Sequence, residues 1–282
     1  MKTFTSKDIE DYYDHTEVHY RMFWQLEKSL GLHYGIWNEA TKTTSEAILN
    51  TNKELMKLGE IKSTDFVLDA GCGIGGSSIF LAKQLGCKAL GITLSKRQAT
   101  TANAMAIKNN VAHLVKFEQN NYLSTGFDSG AFDIVWAIES FGSSPDKATF
   151  FKEMHRLLKS GGKILFADTF KPTTKSIEHN AAMQTMLNGW AITDILSIEE
   201  LTAMAQANNF AVDKINDVSK RIKKSVNKIY AAGLMGWVGT KVYTLFNNAT
   251  HFSRIHYKTG LAQKETYNRG DWGYYLVCLK KH

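Results

Sequence analysis

The stretch Phe66-Val-Leu-Asp-Ala-Gly-Cys-Gly-Ile-Gly-Gly-Ser-Ser78 decides the fold of this chain. Its first residues are mostly apolar and predict a short buried strand, glycines crowd the next positions, and Ser77 to Leu85 predicts a helix. Glycine lets a backbone turn sharply and approach a ligand closely, and the free N–H groups at a helix start attract electron-rich atoms. The stretch therefore predicts a strand, turn and helix that bind a nucleotide-like cofactor.

The same alternation of strand and helix continues to about residue 170. Strands are predicted at 65–70, 88–93, 114–119, 132–137 and 162–168, and helices at 77–85, 95–109 and 146–159. Repeated βα units predict an α/β, doubly wound, mostly parallel sheet with helices on both faces. Ligands of such sheets bind outside the carboxyl ends of the strands, so functional residues are expected there.

The flanking segments are expected to surround this core. Residues 1–30 read as helical, 44–58 as a helix capped by Thr44 or Ser45, and 220–266 as an apolar helical cover. Helices at 177–187 and 198–208, the latter capped by Ser197, and strands at 210–218 and 272–279 are also predicted. We therefore divide the chain into an N-terminal helical lid segment at 1–60, a cofactor-binding core at 61–219, the cover insertion at 220–266 and the last core strand at 267–282.

Composition indicates an ordinary globular protein. Hydrophobic residues make up 44% of the chain, the three cysteines are scattered, and the first ten residues lack the apolar stretch of a signal peptide. No metal site and no disulfide framework is expected, and a cytoplasmic location is the expectation.

The net charge of +7 is mostly dispersed lysine, and no nucleic-acid motif accompanies it. The basic run at 220–228 is either a solvated face or a peripheral contact with an acidic membrane. An oligomer is not excluded.

The identity of the cofactor depends on charge. The spacing of Gly71, Gly73 and Gly76 also satisfies the dinucleotide fingerprint. Asp69, just before the turn, would repel a pyrophosphate but suits a ligand that carries an ammonium and a sulfonium. The dinucleotide fold also requires an acid about 20 residues further on, and the second strand runs into Thr93-Leu-Ser95 without one. These residues favour S-adenosylmethionine over NAD.

Side chains at the predicted strand ends supply the rest of the site. Thr93 and Gln98 can serve the ribose in place of the missing acid, and Asn121 can give and accept hydrogen bonds at an adenine edge. The predicted cofactor-binding residues in this core are Asp69, Gly71, Gly73, Gly75, Thr93, Leu94, Gln98, Asn120, Asn121, Tyr122 and Ala137.

Acidic and aromatic residues are expected to act on the acceptor. Glu139 lies within the apolar stretch Trp136-Ala-Ile-Glu-Ser-Phe141, which favours an active-site acid over a structural carboxylate paired with a base. The aromatic segment Leu32-His-Tyr-Gly-Ile-Trp37 is interpreted as a lid or a pocket wall, although Trp37 could equally plug the edge of the domain. Aromatic side chains predicted to contact the acceptor are Trp37, Phe141 and Trp237.

Three motifs carry a resemblance to a known family. They are Asp69 to Ser78, Gly91-Ile-Thr-Leu-Ser95 with Gln98, and Phe132 to Ser140. These motifs resemble the class I S-adenosylmethionine-dependent methyltransferases, and in particular the branch that holds γ-tocopherol and sterol C-methyltransferases, small-molecule N-methyltransferases and cyclopropane fatty acid synthases. The resemblance implies a seven-stranded Rossmann-like sheet with an antiparallel last strand.

The resemblance also implies roles for individual residues. Tyr34, with Gly35 beside it, matches the N-terminal aromatic motif that reaches the methionine carboxylate and helps to close the site. Glu139 matches the acid after the fourth strand, and together with His33 and Tyr34 it forms the predicted catalytic set. The family's Gly-Glu-His or Ala-Phe-Glu-His after that acid is replaced here by Ser140-Phe-Gly-Ser-Ser-Pro145. Because this departure removes a histidine and a second acid, cyclopropanation is not the expected reaction.

The sequence therefore predicts a methyltransferase acting on a small, lipophilic acceptor, with carbon methylation of a terpenoid, sterol or quinol favoured. Methylation of a nitrogen or oxygen of a small polar metabolite is the first alternative. A non-catalytic S-adenosylmethionine-binding protein is the alternative from another class, and a nicotinamide-dependent oxidoreductase is a third interpretation.

Overall fold

A single seven-stranded sheet organises the computed structural model, which describes residues 3–12, 31, 33–173, 180–246 and 251–282. The strands are β1 Phe66–Ala70, β2 Lys88–Thr93, β3 Val115–Gln119, β4 Phe132–Ile138, β5 Leu158–Phe170, β6 Phe210–Asp217 and β7 Gly273–Lys281. Their order in the sheet is β3-β2-β1-β4-β5-β7-β6. Strands β1 to β5 pair in parallel, and β7 pairs antiparallel with both β5 and β6. The predicted mostly parallel sheet with an antiparallel last strand is confirmed.

Helices lie on both faces of this sheet. They are α1 Thr44–Gly59, α2 Gly76–Leu85, α3 Lys96–Lys108, α4 Lys147–Leu157, α5 Ala181–Gly189, α6 Ile198–Ala207, α7 Lys223–Phe246 and α8 His251–Arg269. Successive strand residues point to opposite faces, so Trp136 joins a buried cluster with residues of α1 to α3, whereas Val135 joins Phe150 and other residues of α4 on the opposite side. The doubly wound prediction is therefore confirmed.

Some local expectations differ from the structure. Helix α1 is capped by Thr43 rather than Thr44 or Ser45, because the Thr43 side chain accepts from the Glu46 N–H while Glu46 reaches back to the cap. Strand β5 begins at Leu158, directly after α4, and its pairing with β4 is irregular between Phe132 and Ile134. The predicted cap at Ser197 is confirmed, with Glu200 completing the capping box.

The segments around the core are only partly described. Residues 6–12 are helical, whereas 13–30 and 174–179 lie outside the described residues. The expected apolar insertion is helical, since α7 and α8 occupy it, and α8 packs on both α7 and α5. Gly189 allows the close approach of α8, because a Cβ there would lie 1.7 Å from Thr259 Oγ1. The division into lid, core and cover stays a prediction.

Two further features concern the described residues alone. None of their helices is both long and apolar enough to cross a membrane. They also contain no group of three or more His, Cys, Asp or Glu side chains that could hold a metal ion. The three cysteines are buried and unbridged.

Candidate active site

A cleft of about 940 Å³, including its open mouth, lies at the carboxyl ends of β1 to β4. Parallel strands bring these ends together, so residues far apart in sequence meet there. The lining residues that were predicted from sequence are His33, Asp69, Gly71, Gly73, Thr93, Leu94, Gln98, Asn120, Tyr122 and Glu139. The glycine turn, the ends of β2 and β3 and the end of β4 therefore form one site.

The glycine turn is held tightly against the neighbouring strands. The N–H groups of Gly71 and Cys72 both donate to the Ile92 carbonyl, each at 2.9 Å. Gly71 has φ 97°, and a Cβ there would lie 2.4 Å from the Cβ of Ser140. Only glycine fits this position, since it tolerates the left-handed backbone and leaves room for the end of β4.

Asp69 is buried at the end of β1. Its carboxylate accepts a hydrogen bond of 2.7 Å from the Ser78 hydroxyl, which fastens the first turn of α2 to the strand. Burial raises the pKa of Asp69 to about 7, and the hydrogen bonds from Ser78 oppose that rise. A cation in the cleft would therefore stabilise the ionised carboxylate strongly.

The predicted ribose and adenine residues lie side by side at the ends of β2 and β3. Thr93 Oγ1 and Gln98 Oε1 are 2.7 Å apart and both side chains are buried, so the hydroxyl donates to the amide oxygen. Asn120 donates its backbone N–H to the Thr93 carbonyl at 2.9 Å. Asn121 uses its side-chain oxygen to accept from the Leu123 N–H at 2.9 Å and is not among the lining residues. Its predicted contact with adenine stays a prediction.

Glu139 occupies the end of β4 in a strained backbone conformation, with φ 48°. Its Oε1 accepts from the Tyr34 N–H at 2.6 Å and from the Tyr274 hydroxyl at 2.8 Å. Burial is the main cause that raises its pKa to about 8, with a contribution from the charge of Asp168. A non-glycine residue in this region is a sign of functional constraint.

His33 is buried beside this acid. Its Nδ1 lies 3.0 Å from the Tyr34 carbonyl oxygen, which can only accept, so Nδ1 carries the proton and Nε2 carries the lone pair. Nε2 has no hydrogen-bond partner among the described residues. Burial lowers the pKa of His33 to about 4, so the ring is neutral at pH 7.

Tyr34 lies behind the cleft rather than on its surface. Its side chain packs with Trp190, Trp272 and Tyr274, at ring-centroid distances of 6.2, 5.6 and 5.3 Å. Its hydroxyl accepts from the Gln263 amide of α8 at 2.6 Å. In this structure Tyr34 touches the cleft indirectly, through its N–H to Glu139.

Several predicted site residues are placed outside the cleft. Trp37 packs against α7, where its indole N–H donates to Ser225 at 2.9 Å, and Phe141 packs among core aromatics such as Phe166. Three other predicted residues do not line the cleft. Gly35 and Ala137 are buried, and Gly75 is the N-cap of α2. The side chain of Trp237 lies outside the described part of α7.

The structure adds lining residues that were not predicted from sequence. The principal ones are Ile9, Glu10, Cys72, Ile74, Ser77 and Ser143. The N-terminal helix brings Ile9 and Glu10 over the cleft, because Ile9 packs in a small cluster with Phe4 and Leu94. Hydrophobic periodicity placed a helix there, but nothing in the sequence indicated which core surface it would cover.

The described lining fits a cationic nucleoside. It contains three acids, Glu10, Asp69 and Glu139, and the described residues that line it include no lysine or arginine. A Cβ at Gly73 would meet no atom within 4 Å, so this residue leaves open space beside the turn. A pyrophosphate would find no counter-charge among these residues, whereas the ammonium and sulfonium of S-adenosylmethionine would.

Comparison with known proteins agrees with this geometry. A family described as "Methyltransferase domain" matches residues 68–166, which span β1 to β5 and hold Asp69, the glycine turn and Glu139. The chain thus contains a methyltransferase domain and has the class I S-adenosylmethionine-dependent methyltransferase fold. S-adenosylmethionine, the predicted cofactor, is the cofactor of this family.

Individual relatives show how far this similarity extends. A chloroplastic tocopherol O-methyltransferase of Arabidopsis thaliana is 30% identical over 211 residues, 67% of this chain and 60% of its own length. A sarcosine/dimethylglycine N-methyltransferase of Halorhodospira halochloris is 31% identical over 166 residues, 58% of this chain and 56% of its own length. This chain therefore spans somewhat more than half the length of these relatives.

Similarity of fold extends over the whole chain. The crystal structure of the cyclase SpnF superposes with a TM-score of 0.81, covering 100% of this chain and 97% of that chain at 20% identity. At this identity the likeness concerns the fold, including α7, α8 and the last strand.

The methyltransferase glycine turn can be tested by adding one methyl group. We expect Gly71→Ala to abolish measurable binding of S-adenosylhomocysteine, because its Cβ would displace Ser140 and the end of β4. Isothermal titration calorimetry measures the binding. Gly130→Ala is the matched control: Gly130 also has positive φ, 67°, but its Cβ would meet nothing within 4 Å. Equal affinity of the two variants would contradict this account of the turn.

The buried acid of the cleft should leave a signature in the pH dependence of stability. At pH values between the ordinary pKa of a glutamate and about 8, Glu139 is protonated in the folded state and ionised in the unfolded state. The stabilisation that the bound proton gives the folded state is therefore lost as pH rises through this range. The free energy of unfolding of the wild type should therefore fall relative to Glu139→Gln between pH 5 and pH 8, by at most about 1.4 kcal/mol per pH unit. Urea unfolding at several pH values measures it.

The exposed Glu39 provides the control for that series. Glu39→Gln should track the wild type at every pH. A difference between wild type and Glu139→Gln that stays constant from pH 5 to pH 8 would show that Glu139 titrates normally.

Proposed function

We propose that this protein transfers a methyl group from S-adenosylmethionine to a small, lipophilic acceptor, with carbon methylation favoured. The observation that carries the proposal is a pair of acids, the buried Asp69 and the half-buried Glu139, in a cleft whose described lining contains no lysine or arginine. Such a cleft favours a cation, and the methyl donor of this family is one. Since the chain spans 60% and 56% of the relatives' lengths, its activity and acceptor are proposals.

In this proposal the described residues hold and orient the donor. The glycine turn admits its methionine part beside Asp69, Thr93 and Gln98 hold the ribose, and Asn120 and Tyr122 flank the base. The cofactor supplies an electrophilic methyl group, so the protein has to align the acceptor and exclude water. The N-terminal helix, through Ile9 and Glu10, contributes to that exclusion.

Two groups can receive a proton from the acceptor: His33, and Glu139 once the positive charge of the bound donor has lowered its pKa and ionised it. Glu139 has both hydrogen-bond donors on Oε1, which leaves Oε2 for a ligand. His33 carries a lone pair on Nε2 and its ring is neutral at pH 7. A carbon acceptor requires one such group after methyl transfer, whereas an amine acceptor would be attracted by Glu139 and requires little base chemistry.

The relatives support both classes of acceptor. The name of the Arabidopsis relative specifies a lipophilic phenol, tocopherol, and that of the Halorhodospira relative specifies small amines. The largely apolar helix α7, in the same cluster as the aromatic ring of Tyr34, favours the lipophilic class here. Methylation of a small polar metabolite is the second candidate.

Fold alone does not establish methyl transfer. A structure of the same fold is named as a cyclase, so a protein that binds the cofactor without transferring the methyl group is the candidate from another class. Glu139 supports the enzyme, because a buried acid in strained backbone with an accessible oxygen is not required for binding alone.

The function is tested in two steps. Calorimetry should show heat with S-adenosylhomocysteine and none with NAD, since the cleft residues offer a pyrophosphate no counter-charge. Incubation with methyl-labelled S-adenosylmethionine and a lipid extract should then yield a labelled product that Glu139→Gln forms at least about 100-fold more slowly, the low end for general acid–base catalysis. Binding of the cofactor without labelling of any lipid or amine fraction would favour the non-catalytic candidate.

We also propose that any peripheral contact with an acidic membrane rests on Lys220 and Lys223. The other cations of the basic run are engaged, because Arg221 pairs with Glu54 and the ammonium groups of Lys224 and Lys228 lie over the Trp37 ring. Lys220 and Lys223 are the exposed lysines of the run that make neither an ion pair nor a ring contact among the described residues.

This contact has a direct measurement. Lys220→Gln combined with Lys223→Gln should weaken the affinity for vesicles containing phosphatidylserine, measured by co-sedimentation, by roughly 30-fold, given about 1 kcal/mol for each lysine near an anionic surface. Lys152→Gln combined with Lys88→Gln is the control of equal charge. Unchanged sedimentation of the first variant would remove the membrane proposal.

A further inference from the structure

The side chain of Tyr274, in β7, is fully buried and points at the acid of the cleft. Its hydroxyl lies 2.8 Å from Glu139 Oε1 and 3.2 Å from the Ala167 carbonyl oxygen. A phenol has one hydrogen to donate, and an ionised carboxylate is the stronger acceptor. We propose that Tyr274 is a positioning residue, which holds Glu139 Oε1 in place and so presents Oε2 to the ligand. This inference rests on the role proposed for Glu139.

The backbone of Tyr274 is anchored from both sides. Its N–H donates to the Ser219 hydroxyl at 2.9 Å, and its carbonyl accepts from the Val218 N–H at 2.9 Å. In the sheet its register partner is Thr169 of β5. A hydroxyl mounted on such a backbone has a fixed position, which a positioning residue requires.

Glu139 itself needs support, because its backbone is strained. Its φ of 48° lies in the left-handed region, and its N–H donates to the Ala167 carbonyl at 3.0 Å. The Tyr34 N–H and the Tyr274 hydroxyl both bind the same carboxylate oxygen. Two donors on one oxygen fix the rotation of the carboxylate, so the other oxygen is directed away from them.

The hydrogen bond also acts on the charge of Glu139. The groups that face this carboxylate are the Tyr34 N–H, the Tyr274 hydroxyl and the carboxylate of Asp168 on β5. Asp168 and burial favour the protonated acid, whereas the two donors favour the ionised one. The pKa of Tyr274 is raised well above its ordinary value by burial and by Glu139, so its hydroxyl remains a donor near neutral pH.

The neighbouring tyrosine provides a matched control. Tyr275 points to the opposite face of the sheet, where its ring lies 6.1 Å from that of Phe170. Tyr274→Phe and Tyr275→Phe therefore remove the same atom from adjacent positions, and only the first removes a hydrogen bond to Glu139.

The direct measurement is the titration of the Glu139 carboxyl carbon by 13C NMR in the free protein, assigned with Glu139→Gln. Tyr274→Phe should raise the Glu139 pKa by about one to two pH units, the equivalent of one hydrogen bond to a charged group. Tyr275→Phe should leave it unchanged. Coincident titrations of wild type and Tyr274→Phe would overturn the inference.

Catalysis supplies a separate readout. In Tyr274→Phe the acid limb of the pH profile of kcat/KM should move to higher pH by the same one to two pH units as the Glu139 titration. A loss of packing alone would lower kcat/KM at every pH without moving the profile. The NMR titration requires no methyl acceptor, so an absence of methyl transfer would contradict the proposed function and leave the positioning of Glu139 to be decided by NMR.

A second variant covers the case in which Tyr274→Phe does not fold. In Glu139→Gln the phenol of Tyr274 should titrate at lower pH than in the wild type, because a negative charge beside it is gone. The ring carbon signal of labelled tyrosine reports that titration. An unchanged Tyr274 titration would show that the two groups are not coupled and would equally overturn the inference.

Discussion

The structure depends on two acids at the ends of β1 and β4, the buried Asp69 and the half-buried Glu139, neither of which forms an ion pair with a lysine or arginine among the described residues. Burial penalises the charged form of Asp69 and Glu139, and hydrogen bonds from Ser78, Tyr34 and Tyr274 offset only part of that penalty. The remaining part is available to a bound cation. A methyl donor carrying a positive sulfonium satisfies this condition, whereas a nicotinamide dinucleotide brings negative charge toward Asp69. The selectivity of the cleft therefore originates in desolvation more than in any single contact.

The surroundings of Glu139 come from parts of the chain that are distant in sequence. Tyr34 precedes the first strand, Ala167 ends the fifth, and Tyr274 enters from the antiparallel last strand. The antiparallel insertion of β7 beside β5 brings the Tyr274 hydroxyl to the end of β4. The side-chain amide of Gln263, in α8, donates a hydrogen bond to the hydroxyl of Tyr34. The helical insertion and the acid are thus connected through Tyr34, which binds Gln263 by its hydroxyl and Glu139 by its backbone N–H.

The proteins that resemble this chain have names with different substrates and reactions. Two relatives, one named for a phenolic lipid and one for small amines, share part of its sequence, and a cyclase shares its fold. In this chain the material above the strand ends includes the N-terminal helix with Ile9 and Glu10, and the aromatic group of Tyr34, Trp190 and Trp272 lies behind the cleft. In the proposed function the strand ends bind the methyl donor, and this surrounding material contacts the acceptor.

The sequence by itself determined the βα alternation, the glycine turn and the acids at the ends of β1 and β4, because these depend on local patterning and on residue chemistry at short spacing. It also assigned Thr93 and Gln98 to one part of the site, and in the structure their side chains meet across the start of a helix. It did not decide whether Trp37 and Phe141 line a pocket or pack in the core, since spacing does not distinguish the two, and in the structure both pack outside the cleft. Only the tertiary structure decided that Tyr274 binds Glu139 and that Glu10 lines the cleft, because their positions follow from how a distant strand and an N-terminal helix pack on the sheet.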